Sequence, residues 1–108
     1  MRFYGLKNCD TCRKAQKALA AAGYDVTVID VRSDGVSRVD LERFQAAFGD
    51  AILNTRSTTW RSLSEVERAQ APIDLLLAHP TLMKRPVIDS DALYLGWGKD
   101  VQAKLLSE

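Results

Sequence analysis

The chain has 108 residues, 46% hydrophobic and 27% charged, which predicts a single folded domain over residues 1–108 and argues against disorder. Its 15 basic and 14 acidic residues nearly cancel, so charge gives no reason to expect direct contact with nucleic acid or an anionic membrane. No apolar run approaches the roughly 20 residues of a membrane span, and the N-terminus lacks the apolar stretch of a secretory signal. We therefore expect a cytoplasmic protein.

The first thirty residues predict a strand, a helix and a second strand. Residues 2–5 contain two aromatic strand formers, and residues 11–22 are rich in helix formers and are followed by Gly23, a typical helix-ending residue. Residues 25–31 carry apolar side chains on both faces, which predicts an inner strand. Such a unit is expected to be a right-handed βαβ with parallel strands. The helix has an apolar stripe at i, i+3, i+7 and i+10, formed by Cys12, Ala15, Leu19 and Ala22.

The middle of the chain, from about residue 37 to residue 80, predicts mainly helices. Ser37 and Asp40 form a capping pair for a helix that ends at Gly49. Residues 53–62 are polar and show no clear period, whereas residues 64–67 form a capping box. Pro72 suits the first turn of another short helix. The apolar faces of these two longer helices are predicted to be Leu41, Phe44 and Phe48 in the first, and Ile73, Leu76 and Leu77 in the second.

The last part of the chain predicts a hairpin and a helix. Residues 84–88 form a strand that opens with proline, residues 89–91 a turn, and residues 92–95 a second, antiparallel strand. A helix follows over residues 99–106. The whole order is β-α-β, a helical stretch, and β-β-α, which predicts an α/β fold with one mixed four-stranded sheet.

Cys9 and Cys12 are the two cysteines of the chain and form a C-x-x-C motif. In a reducing cytosol such a pair is seldom a structural disulfide. A closed zinc site needs about four ligands, and the chain adds only His79 to the two thiols, so no metal is expected. Two interpretations remain: redox chemistry, or two unrelated thiols.

The position of Cys9, between a strand and a helix N-terminus, predicts a reactive thiol. Free amides and the helix dipole favour an anion there, so the thiol pKa should lie below about 8.5, with Lys7 and Arg13 adding to the effect. Cys12 begins the apolar stripe and should be more buried. Cys9 would then attack a disulfide and Cys12 would resolve the mixed disulfide; alternatively, Cys12 only fills the core.

Basic residues elsewhere in the chain offer an anion site near Cys9. The candidates are Arg56, Arg61 and Arg85, and the alternative is that they are solvated surface side chains. Pro86 opens a strand. A cis bond before it would turn the preceding backbone groups toward a bound thiol or peptide. The alternative is an ordinary trans proline, since prolines are common at the start of a strand.

Three segments in the same order resemble the arsenate reductase-like family, the ArsC/Spx/YffB group, and cover nearly the whole chain. The active-site segment is residues 4–15 (YGLKNCDTCRKA), the middle signature is residues 53–61 (LNTRSTTWR), particularly like the YffB branch, and the late signature is residues 79–88 (HPTLMKRPVI). The resemblance implies a thioredoxin-like fold with a helical insertion between its halves. It also implies that Cys9 is the reactive thiol, that Pro86 is cis, that Arg85 and then Arg56 are site residues, and that His79 lies at a helix end.

The resemblance indicates three alternative functions. The first is a thiol-disulfide oxidoreductase that uses glutathione as a co-substrate, without a bound cofactor, and acts on a thiol or disulfide protein substrate. The Pro86 backbone would pair with the extended chain of that substrate. The second is a redox-sensing regulator like Spx, which binds the RNA polymerase α subunit, because the two-cysteine loop resembles Spx. The third, arsenate reduction, is disfavoured because Trp97 stands in the region where the arsenate reductases have a third arginine.

Overall fold

The computed structural model describes residues 1–106, and its centre is the predicted mixed sheet of four strands. The strand order is β2-β1-β3-β4; β1 is parallel to β2 and antiparallel to β3, and β3 is antiparallel to β4. This topology confirms the α/β prediction, with a β-α-β half and a β-β-α half in the thioredoxin-like arrangement. The strands are β1 (Arg2–Gly5), β2 (Thr27–Asp30), β3 (Val87–Asp89) and β4 (Leu93–Leu95).

Six helices flank the sheet in the described part of the chain, and short 3₁₀ segments cover Gly49–Ile52 and Pro80–Leu82. The predicted caps are confirmed: the Ser37 hydroxyl accepts from the Asp40 amide, and Ser64 forms a capping box with Glu67. Within residues 1–106, no helix has the length and apolar character required to cross a bilayer. The helices are α1 (Asp10–Ala21), α2 (Arg38–Phe48), α3 (Thr58–Ser62), α4 (Glu65–Arg68), α5 (Pro72–Ala78) and α6 (Lys99–Leu106).

The core has two parts, one on each face of the sheet. Side chains alternate along a strand, so Phe3 points to one face and Tyr4 to the other. Phe3 packs with residues of α1 and α6. Tyr4 packs with residues of α2 and α5, and its ring meets Phe44 edge-on with the centroids 5.0 Å apart. Helix α1, which carries the cysteines, is therefore held against the centre of the sheet.

Four details differ from the sequence prediction. Strand β2 was predicted to be an inner strand but lies at the edge of the sheet, with Val28 43% exposed. The residue pattern along one strand does not reveal how many neighbouring strands it has. Ala22, the C-cap residue of α1, is exposed, so the buried stripe of this helix ends at Leu19. In α5, Leu75 is buried and Leu77 is 41% exposed. The sequence did not distinguish them, because three consecutive leucines do not show which face of a short helix is buried. Pro86 immediately precedes β3 and is not its first residue.

Candidate active site at the cysteine pair

The two cysteines occupy different positions at the start of α1. Cys9 is the N-cap residue, with extended backbone angles of φ −95° and ψ 118°. Cys12 lies in the first turn and is completely buried, whereas Cys9 is partly exposed. Both thiols are free. Cys9 is therefore accessible from solvent, whereas Cys12 lies in the core.

Cys9 is the more acidic of the two thiols, as predicted. Partial burial raises its pKa, but the amide and thiol of Cys12 and the charge of the Arg85 guanidinium lower the pKa by more, so that the net shift is downward. The Cys12 amide is one of the free N–H groups of the first helical turn, which favour an anion at the N-cap. The neutral thiol makes no cap hydrogen bond; the thiolate is the form that these donors stabilise.

Cys12 has the opposite behaviour. Burial, together with the hydrogen bond to Cys9 and the negative charge on it, raises the pKa of Cys12 to about 11. At neutral pH Cys12 is therefore a neutral thiol, and Cys9 is the residue of the pair that loses its proton more readily. Sequence reasoning predicted this asymmetry from the helix stripe.

Gly5 allows α1 to approach the sheet closely enough to bury Cys12. A β-carbon on Gly5 would lie 2.8 Å from Cys12 Sγ and 3.0 Å from Phe3 Cε1. Both distances are shorter than ordinary van der Waals contact, so a side chain at this position would displace Cys12. Sequence analysis did not identify this residue, although a glycine at the end of a strand is a known sign of close backbone approach.

Arg85 is the cation that acts on Cys9. Its Nη1 donates to the carbonyl oxygens of Thr81 at 2.7 Å and Met83 at 3.3 Å. Its Nε is buried and has no hydrogen-bond partner among the described residues. The guanidinium is thus anchored at one end and retains a free donor for an anion.

Lys7 and Arg13 do not act as predicted. Arg13 pairs with Asp10 at 2.7 Å and is 58% exposed, and Lys7 is also exposed. Neither is among the groups that most affect the Cys9 pKa. Nearness in sequence suggested the wrong cations, because both side chains extend into solvent.

The peptide bond between Arg85 and Pro86 is cis, in agreement with the resemblance. The Pro86 carbonyl accepts a hydrogen bond from the Gly96 amide at 2.8 Å, and proline has no N–H. The backbone N–H and C=O of Arg85, in contrast, have no hydrogen-bond partner within residues 1–106. The residue before the proline, and not the proline, therefore presents free backbone groups.

Arg56 and Arg61 do not have the effect on Cys9 that Arg85 has. Arg56 lines an open cleft of about 520 Å³ together with Lys84, Asn54 and Asp50. Arg61 is an exposed residue of α3. Neither is among the groups that most affect the Cys9 pKa, whereas Arg85 is.

Asp30 is a buried acid that sequence analysis treated only as a strand residue. It is 8% exposed and accepts hydrogen bonds from the amides of Lys7 (3.4 Å), Arg32 (2.9 Å) and Ser33 (3.0 Å). These bonds, the one from Ser33 first, lower its pKa despite burial. Asp30 therefore connects the loop before Cys9 to the end of β2. A polar residue at a strand end before a turn was the available signal.

His79 lies at the end of α5, as the resemblance implied, with its Nε2 3.8 Å from Glu67 Oε2. Among the described residues, no group of three or more His, Cys, Asp or Glu side chains is arranged to hold a metal ion.

Comparisons with known proteins give the family. The ArsC family profile matches residues 4–104. An uncharacterized protein of Haemophilus influenzae is 42% identical over 94 residues, which is 82% of each chain. The global transcriptional regulator Spx of Streptococcus pyogenes is 29% identical over 93% of this chain and 80% of its own. The solved structure of a YffB protein is 33% identical, with a TM-score of 0.89 over 98% of both chains. The chain belongs to the ArsC family.

Proposed function

We propose that this protein is a thiol-disulfide oxidoreductase in which Cys9 is the nucleophile. The observation that carries the proposal is the divergence of the two thiols: the pKa of Cys9 is lowered and that of Cys12 is raised to about 11. Only the thiolate form of a cysteine attacks a disulfide, and Cys9, the partly exposed residue of the pair, forms a thiolate more readily than Cys12.

In the first step, the Cys9 thiolate attacks one sulfur of a substrate disulfide. A Cys9–substrate disulfide forms, the substrate S–S bond breaks, and the other substrate sulfur leaves as a thiolate that takes a proton from water. The Arg85 guanidinium stabilises the attacking thiolate by its charge and by hydrogen bonding. The free N–H and C=O of the Arg85 backbone suit pairing with an extended substrate chain beside the disulfide.

In the second step, Cys12 attacks the Cys9 sulfur. Its proton goes to solvent, the Cys9–Cys12 bond forms and the Cys9–substrate S–S bond breaks, and the substrate sulfur leaves as a thiolate that takes a proton from water. Two of the three effects that raise the Cys12 pKa are the hydrogen bond to Cys9 and the charge on it. Both disappear when Cys9 enters a mixed disulfide, so Cys12 becomes more acidic at the stage that requires its thiolate.

Glutathione is the proposed reductant that closes the cycle. Two glutathione molecules reduce the Cys9–Cys12 disulfide to two thiols and leave as one glutathione disulfide. The glutathione carboxylates are anions that Arg85 and Arg56 would hold through charge-assisted hydrogen bonds. The cleft beside Arg56 also contains Lys84, which adds a second cation for a carboxylate.

The decisive experiment measures glutathione-dependent reduction of a small disulfide by the wild type, Cys9→Ser and Cys12→Ser. We expect Cys9→Ser to be inactive and Cys12→Ser to accumulate a mixed disulfide at Cys9, visible as added mass. Turnover by Cys9→Ser equal to that of the wild type contradicts the proposal. Arsenate, added with glutathione and a glutaredoxin, should yield no arsenite, because Trp97 occupies the region where a third arginine would hold the oxyanion.

The similarity to Spx over 93% of this chain favours a second candidate, a redox-sensing regulator. A Cys9–Cys12 disulfide would change the first turn of α1 and thereby a surface that binds the RNA polymerase α subunit. Co-precipitation with that subunit, tried with the reduced and the oxidised protein, tests this function. Binding in one redox state only would support it, and absence of binding in both would reject it.

A further inference from the structure

The side chain of Arg85 is fixed by hydrogen bonds to two backbone carbonyl groups. Its Nη1 donates to Thr81 at 2.7 Å and to Met83 at 3.3 Å. Nε, on the same planar guanidinium, is buried and unpartnered within residues 1–106. Because the guanidinium is rigid and planar, the position of the two carbonyl oxygens determines where its remaining donors lie relative to Cys9.

Thr81, which accepts the shorter of those two hydrogen bonds, is itself hydrogen-bonded through its hydroxyl group. Thr81 lies in the 3₁₀ segment Pro80–Leu82, and its Oγ1 is 3.2 Å from the Oγ1 of Thr59 in α3. Either hydroxyl can be the donor. The pair is partly buried, and it joins the helix of the middle signature to the segment that holds Arg85.

We propose that Thr59 and Thr81 are positioning residues for Arg85, and that their hydrogen bond thereby helps to set the reactivity of Cys9. The inference rests on the proposed function, because it requires the Cys9 thiolate to be the reacting group. It adds two residues that touch neither the sulfur nor the substrate. The Thr59 hydroxyl on α3 would thereby control the distance between the Arg85 guanidinium and the Cys9 thiolate.

Helix α3 has other supports, so loss of the Thr59 hydroxyl should leave it folded. The Ser57 hydroxyl caps it by accepting from the Trp60 amide at 3.1 Å. Arg68 donates to the Trp60 carbonyl through Nε at 3.2 Å and Nη2 at 3.0 Å. The expected consequence of the substitution is therefore a displaced Thr81 carbonyl and not an unfolded segment.

The experiment follows alkylation of Cys9 by iodoacetamide against pH, with mass spectrometry of the labelled peptide. The thiolate forms a carbon–sulfur bond and iodide leaves, so the rate reports the thiolate fraction. The variants are Thr59→Val, which removes the hydroxyl without changing the shape, Thr59→Ser, which restores it, and Arg85→Gln. Thr58→Val is the matched control, because Thr58 is the exposed preceding residue of the same helix.

At a pH below the midpoint, Arg85→Gln should slow alkylation by about tenfold, the effect of removing one nearby opposite charge. Thr59→Val should slow it by about two- to threefold, within the contribution of one neutral hydrogen bond. Thr59→Ser and Thr58→Val should match the wild type. If thermal melting shows that Thr59→Val is unfolded, Thr81→Val, which breaks the same hydrogen bond from the other side, gives the result instead.

The outcomes separate this inference from the proposed function. A profile for Thr59→Val that coincides with that of Thr58→Val overturns the positioning role and leaves Cys9 chemistry intact. An unchanged profile for Arg85→Gln removes the proposed role of Arg85, and the inference is then lost with it. A slower reaction in both Thr59→Val and Thr59→Ser also overturns it, because the hydroxyl would then not be the cause.

Discussion

Replacing Gly5 with alanine tests how tightly helix α1, which carries the two cysteines, packs on the sheet. The new β-carbon would lie 2.8 Å from Cys12 Sγ, 3.0 Å from Phe3 Cε1 and 3.4 Å from Cys12 Cβ. All three neighbours belong to completely buried residues, so the strain cannot be relieved into solvent. Overpacking of this kind destabilises a protein by about 1–3 kcal/mol, and we expect Gly5→Ala to lower the free energy of unfolding by that amount.

A double-mutant cycle with Cys12→Ala identifies the cause of the loss. Cys12→Ala removes Sγ, the nearest of the three atoms, so Gly5→Ala should cost less in that background, with a coupling of roughly 0.5–3 kcal/mol. Urea unfolding of the four proteins gives the free energies. A Gly5→Ala protein as stable as the wild type, or a loss of the same size in both backgrounds, refutes the steric argument.

Three further predictions concern single groups. Cys9 should be alkylated at a pH below the free-thiol value of about 8.5, while Cys12, with a pKa of about 11, stays unlabelled in the folded protein; equal labelling would contradict the assignment. Asp30→Asn should lower the unfolding free energy near pH 7 by about 1–3 kcal/mol. Because folding lowers the Asp30 pKa, this difference is complete above the unfolded pKa near 4 and disappears as the pH falls through the folded pKa; a difference that persists in acid would refute it. Arg68→Lys should lower the unfolding free energy by about 1 kcal/mol, because lysine lacks the planar pair of donors to the Trp60 carbonyl, and urea unfolding that is unchanged would show that these bonds contribute nothing.

The elements that the sequence predicted well are those with local chemical signals. Ser37 and Ser64 cap helices through groups three residues away, and Gly23 and Gly49 adopt positive φ angles of 95° and 62° at helix ends. The dipole and free amides at the start of α1 are equally local, which is why the acidity of Cys9 was predictable from its position alone.

The features that the sequence did not predict depend on distant parts of the chain. Local position suggested Lys7 and Arg13 as the cations that act on Cys9. The cation that lowers the Cys9 pKa is Arg85, which only the late segment and the resemblance indicated, and it precedes β3, the strand that pairs with β1. The edge position of β2 is a property of the whole sheet. Helix α3 is one turn long and carries no period, so its Ser57 cap was the one sequence signal for it.

Cys12 was interpreted either as the resolving thiol or as a core residue, and the structure makes these two roles compatible. The packing that buries Cys12 against Gly5 also raises the pKa of Cys12, and in the proposed cycle this would prevent Cys12 from competing with Cys9 for substrate. A thiol that is inert in the resting protein and becomes more acidic once Cys9 loses its charge can serve in the core and in the second step. The same burial would therefore enforce the order of the two reactions, with Cys9 first.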